Sequence, residues 1–330
     1  MKIVFAEYPE TRNRNIDTEL SYIPQDAEVG FAVYDENNLD QYYKDLSDCD
    51  AVITGFAPID ETAIDHMKNC KIISVQATGW NFVAHEYARS KGIAVSAIGE
   101  YCTKEVADHT IMLMLALRKR LPYLQRRVNK EKVWETASLE TLGIKGVYGQ
   151  TLGIVGLGKI GKAVATRAQA FGMRVIANDP FVPDSDFEKV GAEKVSIEYL
   201  LRNSDVVSSH MNLNDTNVNY FDAEKFDMMA GKKPIFLNVS RGGEVDEQAM
   251  LDALDSGKIL AAGLDVLVSE SPDLNACPFI DREDCIVTPH SAFYSDDSIE
   301  ACERISVENA LYYINGQPEK VFKLVQNPKA

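Results

Sequence analysis

The stretch 151–180, TLGIVGLGKIGKAVATRAQAFGMRVIANDP, decides the fold. Residues 152–155 form a short apolar run that reads as a buried strand. The run enters Gly156-Leu157-Gly158-Lys159-Ile160-Gly161, a G-x-G-x-x-G pattern, and a helical stretch follows. A second apolar run, 174–177, closes on Asp179. Each part has a physical task. Gly156 allows a tight turn, and Gly158 lets backbone approach a pyrophosphate seated on the helix N-terminus. Gly161 lets the helix pack closely on the strand. Asp179 stands 18 residues past Gly161 (179 − 161), where a carboxylate accepts from the hydroxyls of an adenosine ribose. That carboxylate would repel a 2′-phosphate, and Pro180-Phe181 follow instead of an Arg. The unit therefore predicts a site for NAD rather than NADP.

Outward from this unit the chain alternates strands and helices. Upstream, strands are expected at 3–5, 28–33, 51–53, 72–75 and 94–95, with helices near 39–46, 62–68 and 85–90. Downstream, strands are expected at 174–177, 194–196, 205–209, 235–239, 261–266 and 286–288. Such alternation implies parallel sheets. One long helix is expected from Thr103 to Val128, capped by Thr103 and open to a kink at Pro122. Its centre, 111–117, is apolar all round and should be covered on every side, between domains or in a subunit interface. Residues 136–150 read as a linking loop, and 295–316 as a helix capped by Ser295. The fold class is therefore α/β, with two doubly wound domains. A Rossmann NAD-binding domain, 101–290, is inserted into a flavodoxin-like substrate domain made of 1–100 plus 291–330.

Bulk properties narrow the function. The 330 residues carry a formal charge of −16, from 34 basic and 50 acidic side chains, which disfavours nucleic acid and anionic membrane as partners. The longest apolar run, 111–117, is too short to span a bilayer. Cys49, Cys70, Cys102, Cys277, Cys285 and Cys302 form no C-x-x-C pair and join no His pattern. Free thiols in a reducing cytoplasm and no metal site are the expectation.

Three ionisable residues fall at carboxyl ends of expected strands, where such folds bind ligands. Arg241 lies in NVSRGGEVDE, Glu270 in GLDVLVSES and His290 in VTPHSAFYS. An Arg can hold a carboxylate and polarise a carbonyl. A His can give or take a hydroxyl proton, and a carboxylate beside it fixes its tautomer. Together they fit hydride transfer on a small 2-oxo or 2-hydroxy acid.

In GLGKIG at 156–161, ANDP ending on Pro180, SSHMNLNDTN at 208–217, NVSRGGEVDE at 238–247, GLDV at 263–266 and TPHSAFYS at 288–295, the chain resembles the D-isomer-specific 2-hydroxyacid dehydrogenase family. The resemblance covers nearly the whole length. It implies that Arg241, Glu270 and His290 are the catalytic set. It implies cofactor contacts from Gly156, Gly158, Lys159, Ile160, Gly161, Asp179, Met211, Asn212, Asn217, Val239, Ser240, Arg241, Asp265 and His290. It implies that the turn 77–80, with Thr78, Gly79 and Trp80, offers backbone N–H groups to the substrate carboxylate, and that two copies pair around the long helix. Asp265 also reads as a helix cap, and Gly79 as a plain turn. Tyr101 and Tyr294 flank the two expected domain crossings, where they either reach the substrate or serve packing.

The chain departs from the family pattern in two places. Ser271 stands between Glu270 and Pro272, where the family has Pro directly after the acid. Glu270 is still aligned with it, five residues after Asp265, in preference to Glu283. After Gly79 the chain reads Trp80-Asn81-Phe82-Val83-Ala84, which alters the pocket wall. ATGWN is similar to glycerate and hydroxypyruvate members, and Tyr101 with HSAFYS to D-lactate dehydrogenases. NLNDTN and PHSAFYS are also similar to the C-terminal-binding corepressors, so an NAD(H)-binding interaction protein with vestigial activity is the alternative reading.

Overall fold

The computed structural model describes residues 1–136, 139 and 142–328. The expected linking loop at 136–150 lies partly outside them. The described chain divides into two compact units, Met1–Tyr101 with Ser295–Ala330, and Cys102–Tyr294.

The first unit opens with β1 (Lys2–Glu7), α1 (Asp17–Tyr22), β2 (Glu28–Val33), α2 (Leu39–Leu46), β3 (Ala51–Thr54), α3 (Glu61–His66), β4 (Ile72–Val75), α4 (His85–Ser90) and β5 (Ala94–Ala97). The second unit follows with α5 (Thr103–Arg118), α6 (Leu121–Asn129), β6 (Thr151–Val155), α7 (Lys159–Ala170), β7 (Arg174–Asn178), α8 (Asp184–Lys189), β8 (Glu193–Lys194), α9 (Ile197–Asn203), β9 (Val206–Ser209), α10 (Ala223–Met229), β10 (Ile235–Asn238), α11 (Glu247–Asp255), β11 (Ala261–Leu264) and β12 (Cys285–Val287). The chain returns to the first unit with α12 (Asp296–Ile314) and β13 (Leu324–Gln326).

In the first unit the strand order is β13-β5-β4-β3-β1-β2, parallel except for β13, which pairs antiparallel with β5. Alternate residues of each strand pack on opposite faces. Val4, Ala6, Val52 and Ile73 join a core with Tyr42, Leu46 and Ile64, whereas Ile3, Phe5 and Ile53 pack with Val307 of α12. Both faces are covered, as a parallel sheet requires. Ser295 caps α12, accepting from the Ser298 N–H at 3.0 Å, and the Ser298 hydroxyl reciprocates.

In the second unit the order is β12-β11-β10-β9-β6-β7-β8, parallel throughout. Counting its own strands, that is 3-2-1-4-5-6-7, with a switch point between β6 and β9. Gly156 has φ +92, which a side chain would strain, and a Cβ on Gly161 would sit 2.3 Å from the Gly156 carbonyl oxygen. Those two glycines set the closeness of α7 to β6.

Several expectations need correction. The single helix 103–128 is two. Lys119 closes α5, Arg120 is left-handed at φ 53, and Pro122 lies in the first turn of α6. Proline needs no N–H partner there, so it starts a helix instead of kinking one. Cys102, not Thr103, is the N-cap of α5. On the single chain Met112 of the stretch 111–117 is 49% exposed, which leaves open the subunit interface that was one of its two expected covers. Strand β8 spans Glu193–Lys194 rather than 194–196, and α1 and β13 carried no periodic signal strong enough to expect them.

Gly161→Ala pushes α7 away from β6, and we expect a loss of about 1–3 kcal/mol. A denaturation midpoint equal to the parent's would contradict this close packing.

Candidate active site

All chemistry-bearing positions of the second unit lie at carboxyl ends of its strands. Gly158 is the N-cap of the 12-residue helix α7, and apart from adjoining backbone nothing lies within 4 Å of where its Cβ would be. This leaves an open cradle at a helix N-terminus, suited to an anion. Asp179, directly after β7, borders the cradle. Its Oδ2 accepts from the Leu157 N–H at 2.8 Å and its Oδ1 from the Phe181 N–H at 2.9 Å. Met211 and Asn212 follow β9 across the switch point. Asn217 closes their loop, donating from Nδ2 to the Asn212 carbonyl at 3.1 Å. Glycine turn, acid and 211–217 loop together fit a dinucleotide.

Val239, Ser240 and Arg241 follow β10. The Arg241 Nη1 donates to the Ser240 carbonyl at 2.7 Å. Ser240 Oγ turns inward, donating to Glu244 Oε2 at 2.6 Å, and Ser209 Oγ donates to that same oxygen at 2.6 Å. Burial raises the Glu244 carboxyl above its ordinary value, although Ser209, Ser240 and nearby Arg241 oppose the shift. A Cβ on the next residue, Gly242, would lie 2.0 Å from the Leu267 backbone. The Arg241 turn thus packs directly on the segment leading to Glu270.

His290 follows β12. Its Nδ1 lies 2.8 Å from Glu270 Oε2, which fixes one ring nitrogen and leaves Nε2 for proton transfer. His290 has φ +48, a left-handed backbone that is uncommon outside glycine. Two side chains hold that turn, Asp265 in a role the sequence reading did not give it and His109, which that reading passed over. Asp265, only 2% exposed, accepts from Thr288 Oγ1 at 2.5 Å, the Ser291 N–H at 3.0 Å and the Ala292 N–H at 2.9 Å. The resemblance implies a cofactor contact from Asp265, and in this structure its oxygens take these three donors from the 288–292 turn. His109 of α5 reaches Thr288 Oγ1 with Nε2 at 3.0 Å. A histidine two residues before the apolar run 111–117 of α5 was the available signal for it.

Arg241, Glu270 and His290 lie in the segments that follow the adjacent strands β10, β11 and β12. The turn 77–80 and Tyr101 belong to the other unit, whose first segment ends at Tyr101, and Tyr294 ends the second unit. Gln76 anchors that turn from β4. It accepts from Arg14 Nη2 at 3.3 Å and donates to Glu19 Oε1 at 3.1 Å and Ser306 Oγ at 3.0 Å. Trp80 is half-buried, with Lys323 Nζ 4.4 Å from its ring centroid. Among the described residues no group of three or more His, Cys, Asp or Glu could hold a metal ion, and no helix is long and apolar enough to cross a membrane.

Residues 111–292 match the family model for D-isomer specific 2-hydroxyacid dehydrogenase, NAD binding domain. The chain belongs to the D-isomer specific 2-hydroxyacid dehydrogenases. Glycerate dehydrogenase of Methylorubrum extorquens is 35% identical to it over 268 residues, 80% of this chain and 82% of the relative. Glyoxylate reductase of Korarchaeum cryptofilum is 34% identical over 278 residues, 82% of each. D-Lactate dehydrogenase of Aquifex aeolicus, solved with NAD and lactic acid, superposes with a TM-score of 0.83 at 25% identity and covers 98% of both chains. The dehydrogenase is thus an NAD-dependent oxidoreductase of 2-hydroxy acids. All three relatives are named as enzymes, so the corepressor reading draws no support from them.

Two histidines of the dehydrogenase resist protonation. Desolvation pushes His210 down to about 3, and burial lowers His109, outweighing the carboxylate of Asp265. The unfolded chain takes up these protons near 6.5 while the native one does not. Stability is therefore complete above that pH and falls as pH drops through it, by up to about 1.4 kcal/mol per pH unit for each fully shifted group. Calorimetry should show Tm declining from pH 7 to 5.5, less steeply in His210→Asn. A flat wild-type profile would refute the shifts.

Proposed function

We propose that the dehydrogenase reduces a short 2-oxo acid of the glyoxylate or hydroxypyruvate type to the 2-hydroxy acid, in the D form where C2 becomes a stereocentre, with Arg241, Glu270 and His290 as its catalytic set. The observation that carries this is the 2.8 Å contact between His290 Nδ1 and Glu270 Oε2, one strand away from Arg241. The names of the glycerate and glyoxylate relatives support the substrate class. Bound NADH supplies the hydride for C2. Arg241 holds the substrate carboxylate and polarises the carbonyl. His290 gives a proton from Nε2 to the carbonyl oxygen, and Glu270 steadies the imidazolium through Nδ1. In this reading residues 101–290 bind the cofactor, and 1–100 with 291–330 bind the substrate, the turn 77–80 meeting its carboxylate and Trp80, Tyr101 and Tyr294 shaping the pocket. Gly156, Gly158, Lys159, Ile160, Gly161, Asp179, Met211, Asn212, Asn217, 239–241, Asp265 and His290 contact the dinucleotide. Two copies pair through α5, where Met112 is exposed. The free thiols suit a cytoplasmic setting.

NADH oxidation followed against glyoxylate, hydroxypyruvate, pyruvate, 2-oxoisocaproate, phenylpyruvate and 2-oxoglutarate tests the reading. Turnover should favour the first two and fall by about 10²–10⁴-fold in His290→Ala. Preference for a bulky 2-oxo acid would overturn the substrate class, and an active His290→Ala would overturn the mechanism. Asp179→Ala should weaken NADH binding about ten- to hundredfold, the worth of hydrogen bonds to a charged group, and narrow its preference over NADPH. Unchanged affinity in a fluorescence titration would remove Asp179 from the cofactor site.

A further inference from the structure

His290 carries a left-handed backbone, φ +48, at the end of a strand only three residues long. A non-glycine residue holds such a conformation only when its surroundings enforce it. Here the enforcement is traceable. The His290 N–H donates to the Asp265 carbonyl at 2.8 Å and the Thr288 carbonyl at 3.0 Å, and the next two N–H groups donate to the Asp265 carboxylate. That carboxylate is oriented in turn by the Thr288 hydroxyl at 2.5 Å. A hydroxyl has one proton. Because Thr288 gives its proton to Asp265, its oxygen must accept from His109 Nε2, 3.0 Å away. His109 is then a neutral imidazole with its proton on Nε2. Burial agrees with this, lowering its affinity for a second proton despite the Asp265 carboxylate 3.6 Å away.

We propose that His109 is a positioning residue for the reaction. It acts from α5 through Thr288 and Asp265 to hold the turn that presents His290. This rests on the assignment of His290 as the proton donor. His109 itself touches neither reacting atom nor proton in flight. Its work is to keep the imidazole of His290 where small displacements are costly.

The test uses the full-length protein with His109→Leu, His109→Gln and Thr288→Val, and with His290→Ala as control. Glutamine keeps a neutral N–H at nearly the same reach, whereas leucine keeps only volume. In His109→Leu we expect kcat to fall about ten- to hundredfold, as a displaced reacting group does. NADH affinity by fluorescence should stay within about threefold, because the cofactor cradle is untouched. His109→Gln should recover most of the rate, and His109→Leu combined with Thr288→Val should be no slower than the worse single variant. Backbone amides 290–292 should exchange about tenfold faster with deuterium in His109→Leu than in wild type.

Wild-type turnover with an inactive His290→Ala and a fully active His109→Leu would overturn the positioning role and leave the reaction intact. Equal losses of rate, melting temperature and NADH affinity, without rescue by glutamine, would reduce His109 to a packing residue and also overturn it. If no 2-oxo acid is reduced by wild type, the proposed reaction fails, and amide exchange alone then decides whether His109 holds the turn. Should His109→Leu not fold, Thr288→Val carries the same expectations.

Discussion

Parallel pairing is the constraint on which the rest depends. Once every strand of the second sheet runs the same way, all seven carboxyl ends open on one side and all crossovers return on the other. Chemistry can only collect at that side. The order reverses between β6 and β9, so the helices that follow them leave in opposite directions and a crevice remains. The glycine turn and the 211–217 loop are the two lips of it. The strands beyond, β10 to β12, each deliver one ionisable side chain in succession. Nothing in this arrangement needs long-range coordination, because one register sets it all.

Within that frame the site is built by burying charge under backbone. Asp265 is almost inaccessible, yet it receives a hydroxyl and two N–H donors. A carboxylate so satisfied is stable away from water and can stiffen a turn that its own dihedrals disfavour. Glu244 is less well served. Its Oε2 takes two serine hydroxyls, while its Oε1 is buried without a partner in the described structure. Burial raises the Glu244 carboxyl accordingly, against the pull of its serine donors.

Much of this was readable from residue order. The βαβ unit at 151–180 announced itself through strand length, glycine spacing and a terminal acid, and the structure places Asp179 against the glycine turn. Strand-end positions of Arg241, Glu270 and His290 followed from apolar runs of four or so residues. Other features were invisible for physical reasons. The break between α5 and α6 depends on the left-handed Arg120, a conformation that arginine does not advertise. Strand β13 is three residues pairing antiparallel at a sheet edge, below what alternation can reveal. The turn holding His290 unites residues 109, 265 and 288–292 through hydrogen bonds across the fold. No local pattern encodes such a contact, and the same distance hides the anchoring of Gln76 by Ser306.

The first unit is assembled from two separated stretches of chain. One face of its sheet, with Ala51, Ile72 and Ala94, is covered by Ala310 and Tyr313 of α12. During translation that face is made early, but its cover emerges only after some two hundred further residues, the whole of the second unit, have left the ribosome. At synthesis rates of roughly 5–20 residues per second the bare apolar sheet waits about 10–40 s. The inserted unit, continuous in sequence, can close in that interval. A nascent chain thus exposes this sheet face for as long as the second unit takes to be made.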